Sequence, residues 1–391
     1  MSPVPRLKDY RGPALLSYGF RPFFLLGAVF AGLAILAWLP MFSGELTLST
    51  AFGPIDWHVH EMLYGYVPAV VTGFLLTAIP NWTGRLPIQG VPLLTLVAVW
   101  LAGRVAVTFS AEIGWLPAAI VDVAFLALVV AAAAREIVAG KNWRNLRVVG
   151  LVTLLLAGNV AFHLEAHING GAEYGARIGI AAVVLLLVVI GGRIIPSFTR
   201  NWLARENPGR LPAPFARFDV AVIGFTAATL ALWIALPSAT PTGAALGIAG
   251  VLHIVRLARW AGDRTFRDRL VLILHVGYAF VPLGFLLAGA AVFGLGEQSA
   301  AIHAWMVGAA GVMTLAVMTR ASLGHIGNAL VASAATQAIY AAVVIAALAR
   351  ICASLQPGWS EPLLQISVLG WVIAYFGFAA VYGPLLVRAK R

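Results

Sequence analysis

Eight histidines in 391 residues carry most of the chemistry this sequence can do. His163 and His167 stand four apart, so on one helix both imidazoles leave the same face and can converge on a metal. His58 and His60 flank one valine at what reads as a loop-to-helix junction, where alternate residues can both turn inward. His303 opens a later apolar run, and His253, His275 and His325 are spread through the second half. Imidazole nitrogen suits both haem iron, which takes one or two axial ligands, and copper, which takes about three. A single cysteine, Cys352, rules out an internal disulfide, a cysteine-cluster metal site and a C-x-x-C-H haem attachment. Glu61 follows His60, Tyr64 lies four residues after it, and Glu165 sits between His163 and His167. A carboxylate can orient a ligating imidazole or relay a proton, and a phenol can donate one. Glu165 is expected to face water. Arg104 and Arg177 are cations of the kind haem propionates require. Asp122 is an isolated acid in an apolar run, and an ion pair with Arg104 would account for it.

The elements that position these side chains follow from composition. Of all residues 61% are hydrophobic and 10% are charged, with a mean hydropathy of +0.91. A soluble domain carries roughly 25% charged residues, so a water-facing surface is excluded. Twelve spanning helices would use about 240 residues at about 20 each. The apolar runs predict spans at 20–39, 60–79, 92–108, 116–134, 148–167 and 178–195. Six more fall at 218–236, 244–257, 270–293, 301–318, 330–351 and 364–386. The eighth is the shortest and contains His253. The first run is long enough to span and no A-x-A site follows it, so no cleavable signal peptide is expected. The expected fold class is an all-α integral membrane protein, read as a single polytopic domain over 1–391.

Charge sets the expected orientation. With both termini cytoplasmic, 22 of the 26 Lys and Arg fall on the cytoplasmic side, Arg6, Lys8, Lys390 and Arg391 among them. The net charge of +11 then reports topology and gives no ground for nucleic-acid binding. The expected location is a membrane, with membrane lipid as a partner. The same map places His58, His60, His163, His167 and His303 at the outer level. His253, His275 and His325 fall near the inner face. Ionisable groups at such depths are costly enough to be functional suspects. Ile79-Pro80-Asn81-Trp82-Thr83 is echoed by Ile195-Pro196-Ser197-Phe198-Thr199, and Thr319-Arg320 echoes Thr199-Arg200. These segments end the second, sixth and tenth spans, which suggests three four-helix pseudo-repeats.

Several motifs together resemble the NnrS family of bacterial membrane proteins. They are LSYGFRPFFLLG (16–27), WHVHEMLYGY (57–66), GFLLTAIPNWTGR (73–85) and GRIIPSFTRNWL (192–203). LHVGYAFVPLGFLL (274–287) and HAWMVGAAGVMTLAVMTRASLGHIG (303–327) complete the set. The resemblance implies haem b and copper as cofactors and a role in nitric oxide metabolism or nitrosative-stress resistance. It lends importance to His58, His60, His303, His325 and Arg320, which lie inside its motifs. His163, His167 and His253 rest on topology. A looser analogy is with haem–copper oxidases, whose His-x-x-x-Tyr spacing His60 and Tyr64 reproduce, although an adjacent His-His pair is missing. The expected activity is reduction of nitric oxide at an outer histidine-held metal, with quinol as a possible electron donor. Glu61 and Tyr64 would supply protons, and Arg104, Arg177 and Arg320 would hold cofactor. The alternatives are a twelve-helix secondary transporter and a non-catalytic haem or nitric oxide sensor.

Overall fold

The computed structural model describes residues 10–388, so Arg6, Lys8, Lys390 and Arg391 of the charge map lie outside the described residues. Among the described residues every regular element is helical. Twelve helices are long and apolar enough to cross a membrane, and the chain is a multi-pass membrane protein. They are α1 (Phe20–Phe42), α2 (Pro54–Thr83), α3 (Val91–Thr108), α4 (Trp115–Ala139), α5 (Trp143–Asn169) and α6 (Glu173–Glu206). The second half adds α7 (Arg217–Ala235), α8 (Thr240–Arg264), α9 (Arg269–Val292), α10 (Gln298–Ile326), α11 (Ala334–Leu355) and α12 (Pro357–Val387). The short eighth run therefore belongs to a 19-residue α-helix, Thr240–Ala258, which a turn joins to the 3-10 helix Gly262–Arg264 that ends α8.

Helix ends follow local chemistry. α2 starts at Pro54 after an extended Gly53, which suits a residue with fixed φ and no N–H to leave unbonded. α2 and α5 close on Gly84 and Gly170, whose φ angles of 69° and 74° a side chain would strain. Asp268 caps α9 by accepting from Leu270 N and Val271 N.

The chain forms two compact units. One comprises Met1–Gly179, Ala321–Asn328 and Phe378–Arg391; the other comprises Ile180–Arg320 and Ala329–Gly377. In the first, Arg21 at the start of α1 donates to the carbonyls of Leu386 and Arg388 at the end of α12, each at 2.8 Å. A cation there complements the negative end of that helix.

α2, α6 and α10 share a second feature besides the sequence echo. Each widens into a π-helix, at Glu61–Tyr66, Leu187–Gly191 and Ala304–Gly311. A π turn displaces the regular ladder and presents a carbonyl to outside donors. Gly65 O accepts from Trp100 Nε1 at 2.9 Å, and Val188 O from Arg256 Nη1 at 3.0 Å. Gly311 O accepts from Tyr375 OH at 3.3 Å. The echoed segments also match in detail, since Thr83 Oγ1 donates to Ile79 O and Thr199 Oγ1 to Ile195 O, both at 2.8 Å.

Gly65 has a further role, because a Cβ there would overlap the Arg104 guanidinium and the Phe30 ring. Gly65→Ala should cost about 1–3 kcal/mol by overpacking. Gly150→Ala, where a Cβ meets open space, should be neutral or slightly stabilising. Thermal unfolding of the two variants in detergent checks the contrast.

Candidate metal centre

The site is built on α2, α3, α4 and α5, all within the first unit. Because α2 begins at Pro54, His58 and His60 lie inside a helix and not at a loop junction. Residues two apart on a helix point about 200° apart, so the two rings cannot both turn inward. His60 is fully buried, whereas His58 stacks on Trp38 with ring centroids 4.3 Å apart.

His60 meets an acidic and amide lining. Its Nδ1 lies 2.9 Å from Glu61 Oε1, and its Nε2 lies 3.1 Å from Asn159 Oδ1 and 3.2 Å from Asp122 Oδ2. Arg104 binds both carboxylates: Nη1 donates to Glu61 Oε1 at 2.5 Å and Nη2 pairs with Asp122 Oδ1. The pairing of Arg104 with Asp122 expected from sequence is therefore present. Asp122 Oδ2 accepts from Asn159 Nδ2 at 2.8 Å and from His163 Nε2 at 3.0 Å. All six side chains are buried. Two carboxylates face one guanidinium, so a further positive charge, a proton or a metal ion, completes the balance.

His60, Asp122 and His163 each offer a ligand atom within 4.8 Å of the other two. Two imidazoles and a carboxylate form a donor set for a transition-metal ion. His163 Nε2 faces Asp122 Oδ2 at 3.0 Å, so a metal ion held by all three residues would take the place of the proton between them.

A family model described as NnrS protein matches residues 14–390, nearly the whole chain. The chain belongs to the NnrS family. No curated protein matches it.

The remaining expected site residues of this NnrS chain take separate places. His167, one turn beyond His163, stacks on Trp115 at 4.0 Å, so the i, i+4 pair divides between two partners. Tyr64 keeps its ring 5.6 Å from that of His60 while its hydroxyl donates to Gly175 O at 2.6 Å. Glu165 does not simply face water: it accepts from Tyr174 N at 3.0 Å and Gly175 N at 2.9 Å, capping the start of α6. Arg177 pairs with Glu173 at 3.3 Å and lies over the Tyr174 ring. His325 packs against Tyr18 and Phe20. In the second unit Arg320 lies over the Phe198 ring at 4.3 Å, and His303 Nδ1 donates to Ser299 O at 2.6 Å.

The second unit also holds a network that sequence reasoning missed. Arg256, counted among the cytoplasmic-side charges, is buried in α8 with its Nε donating to Asp219 Oδ1 at 3.0 Å. Its Nη1 donates to Tyr278 OH at 2.9 Å, and that hydroxyl donates to His253 Nδ1 at 2.9 Å. Thr226 Oγ1 gives its proton to Val222 O and accepts from His253 Nε2 at 2.9 Å. Both nitrogens of His253 are thereby used. His275 differs. Thr199 Oγ1 donates to Ile195 O and so accepts from His275 Nε2, at 2.8 Å, which leaves the lone pair on Nδ1. That nitrogen is buried without a partner beside Gly262, where a Cβ would overlap it.

Proposed function

We propose that this NnrS-family protein is a copper- and haem b-containing redox protein of the bacterial inner membrane that acts in nitric oxide metabolism or nitrosative-stress resistance. The observation that carries this reading is the buried donor set of His60, Asp122 and His163. Imidazole suits copper as it does iron, zinc and nickel, and copper heads the affinity order of first-row divalent metals. Copper held there would supply one-electron chemistry. For haem iron the candidate ligand outside the cluster is His303, whose ring is oriented by Ser299 O. His275 Nδ1 lies so close to Gly262 that a Cβ there would overlap it, which leaves no room for a haem on that nitrogen.

The protein's own groups divide the remaining work. Arg104 fixes Asp122, and Asp122 with Asn159 fixes the His60 and His163 rings. Reducing two nitric oxide molecules to nitrous oxide and water takes two electrons and two protons, with a quinol as the proposed reductant. Glu61 Oε2, buried and without a hydrogen-bond partner, would hold and pass those protons.

Purified protein should show a haem absorption band, contain copper and consume nitric oxide anaerobically when a reductant is added. Protein free of both iron and copper would remove this reading. Binding of nitric oxide without consumption would make the protein a sensor.

A further inference from the structure

The loop between α6 and α7 and the end of α8 with the turn into α9 form one cross-braced lobe. Arg264 Nη2 donates to Asn207 O and Pro208 O, each at 3.0 Å, and Arg264 Nη1 donates to Arg210 O. Arg210 pairs with Asp263, and Ala213 N donates to Arg259 O at 2.9 Å. These bonds hold two short connections as a single surface at one end of four helices.

Residues 200–269 contain nine arginines and four acids. Each acid is already engaged. Glu206 pairs with Arg205, Asp263 with Arg210, and Asp219 with Arg256 and Arg259. Asp268 accepts from the first amides of α9. Arg217, Arg267 and Arg269 are exposed and have no carboxylate within 4.0 Å among the described residues. Beside them stand two exposed aromatic rings, Phe215 at 63% and Phe266 at 62% exposure.

We infer that this lobe is a docking surface for the phosphate headgroups of anionic phospholipids. Arg217, Arg267 and Arg269 supply the charge, and Phe215 and Phe266 enter the boundary between headgroup and acyl chain. Position supports the assignment, because the lobe follows the ends of spanning helices, where headgroups are met. The phenylalanines select lipid over a free anion or a nucleic acid. A soluble anion would satisfy the arginines and leave both rings in water, whereas a bilayer edge takes both. Anchoring here would hold α6 to α9 by a surface that takes no part in the metal centre.

The test is lipid binding by the full chain in detergent, measured by native mass spectrometry and by the shift in unfolding temperature. Phosphatidylglycerol is compared with phosphatidylcholine and with inorganic phosphate. The wild type should bind and be stabilised by phosphatidylglycerol alone. With about 1 kcal/mol per arginine near an anionic surface, R217Q/R267Q/R269Q should weaken that binding about 100-fold. F215S/F266S should weaken it less, and R144Q/R147Q on another loop should leave it unchanged. Equal phosphatidylglycerol binding by the wild type and the triple variant would overturn the inference. So would full stabilisation by inorganic phosphate, or an equal loss in R144Q/R147Q. Copper and haem content should be the same in all these variants, so the outcome is independent of the proposed function.

Discussion

Arg104→Met should leave little folded protein. The guanidinium is the shared partner of Glu61 and Asp122, both about 1% exposed. Removing one member of a buried ion-pair network costs about 3–5 kcal/mol, because the remaining charges stay desolvated and uncompensated. That is a large share of the total stability of about 5–15 kcal/mol that a native protein has. The unfolding midpoint in detergent and the monodisperse fraction after extraction report the effect. Arg104→Lys should recover only part of the loss, since an ammonium lacks the planar fork that meets both carboxylates. Combining Arg104→Met with Glu61→Gln and Asp122→Asn should recover more than the single effects predict, because it removes the stranded charge. A single Arg104→Met variant with wild-type stability would show that the cluster is not held by charge.

His163→Ala should reduce copper content more than tenfold, with a far smaller change in fold. The ring sits at the edge of the cluster, and its loss leaves the Arg104 pairs with Asp122 and Glu61 intact. Asn159→Ala should act less directly. Its amide bridges His60 Nε2 and Asp122 Oδ2, so it orients groups that would bind the metal. Loss of such an orienting partner typically costs 10–100-fold in metal affinity. His167→Ala, whose ring stacks on Trp115, should keep full copper. Metal analysis of protein purified from copper-supplemented cells, with His167→Ala as the reference, separates these cases.

The existence and number of the spans were legible because bilayer thickness dictates apolar runs of about 20 residues. Their ends were not. α2, α6, α10 and α12 run to 30, 34, 29 and 31 residues, since a helix can continue past the hydrocarbon without an apolar sequence. That extension explains the misreading around His58 and His60: a junction turned out to be a helix, and helical rotation sent the two rings apart. The pairing of Asp122 with Arg104 was visible, because a lone charge in an apolar run demands a partner. For His60 and His163 only a shared level was visible, and the sequence paired each with the wrong histidine. Asn159 escaped notice as a neutral residue, although a buried amide in a spanning helix also needs hydrogen bonds. Asp219 and Arg256 escaped because charge counting put Arg256 with the cytoplasmic-side charges, while the structure buries it against Asp219. The π-helices left no clear mark in the hydrophobic pattern. The backbone itself shows them, and neighbouring side chains take their carbonyls.

The claim on which the rest depends is that His60 and His163 hold one copper ion in the first unit. Electron paramagnetic resonance of the oxidised, purified protein measures this directly. One Cu(II) signal per chain is expected, with hyperfine coupling to two imidazole nitrogens, and His163→Ala should lose one of those couplings or the signal. A copper signal unchanged in His163→Ala, or no bound copper in the wild type, would contradict it.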